Sequence, residues 1–177
     1  MLRSVQAIII NMKSEKERGE QMLVTDIVKL RSHVSDYPPQ LFKALDSMSV
    51  ELGKELFLIG GTVRDWLLNT TPNDLDFTVN CGAVRCCRTL IHILDGGTFV
   101  PLGTAEEDAG RVVWKGFTID FSSFREGAGS IVEDLFLRDF TLNAIGFSFS
   151  DFYRKSGNLT LLDPLNGARD LEKGILR

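Results

Sequence analysis

The chain has 177 residues, 44% of them hydrophobic and 25% charged, with a formal net charge of −4. That is the balance of an ordinary soluble globular protein of one domain with a possible appendage. No apolar run approaches the ~20 residues that cross a bilayer, and Val5 to Ile10 is too short and lacks a following small-residue cleavage site. The reading is therefore a cytoplasmic chain without a membrane partner. The acidic balance argues against a broad electrostatic grip on nucleic acid, although a local site can still be basic.

Leu23, Ile27 and Leu30 recur at helical spacing, and residues 1–34 read as an N-terminal appendage or linker. Asp36-Tyr-Pro-Pro is a helix start with proline in the first turn. Leu41, Phe42, Leu45 and Met48 continue that helix, and Gly53 stops it. Glu55 to Ile59 reads as a buried strand, broken by Gly60-Gly61 before a short helix from Thr62 to Leu68. Leu75 to Val79 is the next strand. Ala83 to Leu94 is a helix with Val84, Cys87, Ile91 and Leu94 on one face, ended by Gly96-Gly97. Strands follow around Arg111 to Trp114 and Phe117 to Phe121. Val132 to Asn143 reads as mainly helical, Ala144 to Phe149 as a strand, Ser156 to Asn158 as a turn, and Leu159 to Leu162 as a last strand.

The three cysteines, Cys81, Cys86 and Cys87, lie on one segment, and with His33 and His92 they have no zinc-finger spacing. They read as buried or half-buried structural thiols. The histidines read as structural.

Three segments carry candidate chemistry. In Leu58-Ile-Gly-Gly-Thr-Val-Arg-Asp65, Gly60 and Gly61 join a strand to a helix. Backbone N–H groups there can approach an anion, and Arg64, one turn in, can reach the same phosphate. In Asn73-Asp-Leu-Asp76, Asp74 and Asp76 are two apart on a strand and point to the same side. Side-by-side carboxylates repel unless a cation sits between them, which suits Mg²⁺ and phosphoryl transfer. In Thr118-Ile-Asp-Phe121, Asp120 is either an outward polar position or a third ligand. Taken singly, each segment has a structural explanation: a tight turn, a solvated turn or an exposed strand position.

In this order the segments form the nucleotidyltransferase pattern of the DNA polymerase β superfamily. "LFLIGGTVRDWLLNTTPNDLDFTV" resembles the opening motif of class II tRNA nucleotidyltransferases (CCA-adding enzymes) and bacterial poly(A) polymerases. "EDLFLRDFTLNAIGF" and "LLDPLNGARDLEKGILR" resemble two later motifs, so the resemblance covers roughly residues 40–177. It implies an α+β head domain over 35–177, with a mixed, mostly antiparallel sheet, helices on one face and the metal site at the sheet's edge. It implies catalytic Asp74, Asp76 and Asp120, a two-metal Mg²⁺ site on Asp74 and Asp76, and nucleotide contacts from Gly60, Gly61, Arg64, Arg138, Asp139 and Asn143. The implied activity is transfer of AMP or CMP from ATP or CTP to an RNA 3′ end, most often that of tRNA. A poly(A) polymerase and an A-only or CC-only enzyme are alternatives, and a non-catalytic nucleotide-binding module is an alternative of another class. A dinucleotide-binding domain lacks its third glycine and its acid on a second strand.

The chain also departs from the family. Leu137 stands where members usually carry the first of two arginines, either packing against the sheet or altering nucleotide and primer contacts. The Arg125 to Glu133 segment is short, as in relatives that add only C or only A. The Glu-Asp-x-x-Arg motif of the base-selecting neck is expected downstream of residue 177, which suggests a piece of a longer protein. The match at Glu107 to Arg111 reads instead as a surface turn between strands. From Gly60 to Phe140, seven Lys/Arg stand against twelve Asp/Glu, which suits metal binding better than unaided RNA binding.

Overall fold

The structure is a computed structural model that describes residues 29–104, 107–154 and 159–177. Residues 29–32 are helical and Leu30 is buried, while Leu23, Ile27 and the expected turn at 156–158 lie outside the described residues. Helix α1 (Pro39–Leu52) has proline in its first turn and buries Leu41, Phe42, Leu45 and Met48. It ends at Gly53, whose φ of 59° is the left-handed conformation that glycine adopts cheaply. Then come β1 (Phe57–Ile59), α2 (Gly60–Leu67), β2 (Asp74–Val79), α3 (Ala83–Leu94), β3 (Thr98–Pro101), β4 (Ala109–Trp114) and β5 (Phe117–Ser123). They are followed by α4 (Ile131–Phe136), a 3₁₀ turn at Thr141–Asn143, β6 (Gly146–Ser148), α5 (Phe149–Tyr153) and α6 (Gly167–Glu172).

The strands form one six-stranded sheet in the order β3-β4-β5-β2-β1-β6. Only β2 and β5 pair in parallel, and the other four pairings are antiparallel. This is the expected mixed, mostly antiparallel α+β sheet, and it is incompatible with the parallel doubly wound sheet of a dinucleotide-binding domain. Alternation along each strand divides the side chains between two faces. Leu58, Leu75, Phe77, Ile119 and Phe121 pack into one large core with Leu41 and Leu45 of α1, Cys86 and Leu90 of α3, and Phe149 and Phe152 of α5. On the opposite face, Phe57 and Ile59 pack with Leu135 of α4 and Ala144 in a smaller cluster. That second face is covered at its β1 end by α4, and it carries Asp74 and Asp76.

Several expectations are corrected. The acids lie on β2 and β5, at the centre of the strand order rather than at the sheet's edge. The helix expected over Val132 to Asn143 breaks after Phe136, because donors that would extend it are diverted. The Phe140 N–H bonds the Asp139 carboxylate at 2.9 Å, and the Thr141 N–H bonds the Arg177 carbonyl at 3.0 Å. The strand expected to Phe149 stops at Ser148, where α5 begins, and Leu159 to Leu162 contributes only an isolated bridge from Leu162 to Gly146. Strand β3, with α5 and α6, had no reading in the sequence. Cys86 and Cys87 are buried as expected, but Cys81 is exposed.

Candidate active site

The glycine turn is built around a carboxylate. Ile59 leaves β1 extended, Gly60 turns with φ of 60°, and α2 starts at once. The Gly60 N–H is already used by the Ile145 carbonyl at 3.0 Å. The Thr62 N–H, in the first turn of α2, donates to Asp76 Oδ2 at 3.2 Å. A Cβ on Gly61 would stand 2.9 Å from that same oxygen, so only glycine leaves the carboxylate its room. The Thr62 hydroxyl accepts from the Asp76 N–H at 2.6 Å and donates to the Asp74 carbonyl at 3.3 Å. The start of β2 is thereby fastened to the start of α2.

Asp74 is the first residue of β2 and is exposed, and the Thr118 hydroxyl donates to its carboxylate. Asp76 is half-buried and lies beside Asp120 in the parallel β2–β5 register. Burial raises the Asp76 carboxyl above the usual range. The Thr62 N–H opposes that shift, the Asp120 charge adds to it, and Arg138 opposes it. Asp120 is held by Arg111 of β4, whose Nε and Nη2 each donate to one carboxylate oxygen at 2.7 Å. Both alternatives for Asp120 are therefore modified: it faces outward, but into an ion pair. Among the described residues no three acids, histidines or cysteines converge on one ion position. Asp74 and Asp76, two apart on one strand face, supply the hard oxygen donors that Mg²⁺ takes, and the glycine at position 61 keeps room free at Asp76 Oδ2 on the cleft side.

Cations approach from the β1 side. Arg64 donates to Asn143 Oδ1 at 2.9 Å and to Asp65 Oδ1 at 2.8 Å, tying α2 to the 3₁₀ turn. Arg138 donates to Asp134 Oδ2 at 2.9 Å, and its side chain is only 9% exposed. Its Nε is buried without a partner among the described residues. Asp134 is fully buried and also accepts from the Arg125 N–H at 2.9 Å and, more loosely, from the Arg125 guanidinium at 3.4 Å. Asp139 Oδ1 accepts from the Phe140 N–H at 2.9 Å.

Gly60, Gly61, Arg64, Asp76, Asp120, Arg138, Asp139 and Asn143 all line one cleft of about 400 Å³. Asp74 is outside that lining and exposed, two residues before Asp76 on β2. Eight of the nine site residues read from the sequence are thus brought together, with the ninth beside them on the same strand face. Sequence reasoning missed Thr62, Arg111 and Asp134. The i, i+4 spacing of Asp134 and Arg138 was a signal for one of them, whereas nothing in the sequence marks the Thr62 contacts.

The model of the "Poly A polymerase head domain" family matches residues 56–177. The chain belongs to that family. It is 37% identical over 151 residues to a CC-adding tRNA nucleotidyltransferase of Geobacter sulfurreducens, covering 84% of this chain and 32% of that protein. It is 29% identical to an A-adding tRNA nucleotidyltransferase of Halalkalibacterium halodurans, covering 92% of this chain and 40% of the relative. The solved complex of a CCA-adding enzyme with CTP superposes with a TM-score of 0.68 at 29% identity, over 85% of this chain and 36% of that one. The chain spans about a third of the length of such relatives.

Two departures from the head-domain pattern take structural form. Leu137 caps the C-terminus of α4 and is 50% exposed, so it does not pack against the sheet. The Glu107 to Arg111 match is not a bare surface turn. The Asp108 carboxylate accepts the N–H groups of Gly82, Ala83 and Val84 at the start of α3, and Arg111 holds Asp120.

Proposed function

We propose that this head domain transfers AMP or CMP from ATP or CTP to an RNA 3′ end, with tRNA the foremost substrate. The observation that carries this reading is the half-buried Asp76 of β2, bonded to the first turn of α2, with Asp74 beside it and Arg64, Arg138 and Asn143 across one cleft. Asp74 and Asp76 would hold Mg²⁺. When bound, the ion supplies the charge that lowers the pKa of the primer hydroxyl and neutralises the departing pyrophosphate.

The chain's own groups supply orientation. Thr62 holds the two acids in register with the glycine turn. Arg64, fixed by Asn143, presents its charge to a triphosphate at the turn. Arg138, braced by Asp134 through Nη2, offers its other amino group, Nη1 near Gly60, to the nucleotide, with Asp139 at the rim for its sugar. Holding both reactants against fixed donors is a large part of the rate gain available to phosphoryl transfer. We take residues 35–177 as the head and 1–34 as an appendage.

A restricted enzyme, CC-only or A-only, is the second reading. It is favoured by the short Arg125 to Glu133 segment, closed by the Asp134 bonds, and by the CC-adding and A-adding relatives. The test is incubation of the full-length protein with tRNAs ending at successive positions of the 3′ terminus, each with labelled ATP or CTP. Incorporation that depends on Mg²⁺ and on the primer end is expected, and its pattern sorts CCA, CC-only, A-only and poly(A) addition. Nucleotide binding without incorporation on any primer would instead make the domain a non-catalytic module.

A further inference from the structure

The face that carries the acids is covered unevenly. At its β1 end, α4, Arg138 and the Thr141–Asn143 turn close over the cleft. Beyond Asp76 the face continues through Asp120 of β5 and Arg111 of β4 to Val100 of β3, which pairs with Arg111. Val100 and Val113 on this strip are 38% and 37% exposed. In strand register, Arg111 is the only Lys or Arg among the described strand residues of this face. The cleft itself reaches Ala109 of β4 and Leu102 just after β3, so a nucleotide held at its Gly60 and Arg138 end leaves the β4 and β3 side for the second reactant.

We propose that Arg111 receives the 3′-terminal phosphodiester of the RNA primer, which lies along the open strip of β4 and β3 beside the acids. The inference rests on the nucleotidyl-transfer reading above. In the ligand-free arrangement Asp120 holds the guanidinium ready, with Nε and Nη2 spent on its two oxygens at 2.7 Å. The planar fork keeps donors beyond those two, and its side chain is 38% exposed, so a phosphate can be met without breaking the pair. The flanking valines offer apolar contact to the terminal ribose and base. The pair thus places one cation on the far side of the acids from Arg64 and Arg138, where the attacking hydroxyl must be delivered.

The test compares the full-length protein, wild type at residue 111, with its Arg111→Gln and Arg111→Lys variants. The probe is a short fluorescein-labelled single-stranded RNA with a 3′-deoxy end, titrated over a range of salt. Binding of ATP with Mn²⁺ is measured in parallel, and thermal melts verify folding. Arg111→Gln is expected to weaken RNA binding about three- to tenfold and to flatten the log K against log salt slope by about 0.7. Arg111→Lys should keep the slope, because the charge remains. ATP binding should stay within about twofold of wild type for both variants. Unchanged RNA affinity and slope in Arg111→Gln, or a loss confined to ATP binding, overturns the proposal. So does a wild-type protein that binds ATP with Mn²⁺ but no RNA, an outcome that leaves the nucleotide site standing. A wild-type protein that binds neither removes both readings.

Discussion

Gly61 and Asp76 are coupled by distance. A Cβ at Gly61 meets Asp76 Oδ2 at 2.9 Å, so Gly61→Ala must displace the carboxylate or the start of α2. Nucleotide incorporation should fall by about tenfold or more, since small misplacements of reacting groups are costly, while the melting temperature changes little. A circular dichroism melt beside an incorporation assay separates the two effects. Asp76 itself is a stability cost at neutral pH without a divalent ion. Its folded pKa is raised, so its contribution is full below the unfolded carboxylate range and is lost as pH rises through the folded value. Asp76→Asn should therefore raise the metal-free melting temperature at neutral pH while abolishing incorporation, and a lower melting temperature would contradict this. At the thiols, burial pushes Cys86 up to about 11 and Cys87 up to about 12, whereas Cys81 is exposed. A disulfide-exchange reagent should titrate one thiol in the native protein and three in denaturant. The acid pair was legible because strand alternation alone puts Asp74 and Asp76 on one side. The ion pair of Arg111 with Asp120 was overlooked although its signal is local: the two-residue Lys115-Gly116 turn, with φ of 48° and 86°, sets Trp114 opposite Phe117 and so Arg111 opposite Asp120.

Among the elements, α1 and α3 follow from apolar spacing and glycine stops, and their bounds lie close to those read from the sequence. Strand β3 was hidden because its residues are mostly exposed and include Pro101, as an edge strand allows. The break after α4 was hidden because it depends on the carbonyl of Arg177, far along the chain. The start of α3 shows a cap supplied at a distance. Gly82 offers no side-chain cap, and Asp108 arrives across the sheet to accept three N–H groups, with the Ser123 hydroxyl completing the set. Partial burial pushes the Asp108 carboxyl up, but these bonds outweigh it and leave it below the usual range. Its contribution is therefore present above the unfolded carboxylate pKa and is lost as pH falls through the folded value. Asp108→Ala should cost about 1–2 kcal/mol, a drop of roughly 2–8 °C in melting temperature, and the difference from wild type should shrink in acid.

For the molecule as a whole, one face of the sheet is sealed by α1, α3 and α5, and the other is half open beside two carboxylates. That arrangement concentrates the chemistry in a small cleft and leaves little basic surface, in keeping with the net charge of −4. On the reading proposed above, the cleft residues serve the phosphates and the sugar rather than the base, so residues 1–177 alone should incorporate ATP and CTP with little preference. Ordered CCA addition by this chain alone would contradict that expectation, and competition between the two labelled nucleotides on one primer measures it. The most direct test of the central claim is crystallographic. Crystals soaked with Mn²⁺ and a non-hydrolysable nucleotide triphosphate should show an anomalous peak between the carboxylates of Asp74 and Asp76, with the triphosphate at the Gly60-Gly61 turn. A nucleotide bound at saturating Mn²⁺ with no anomalous density between those two acids would contradict it.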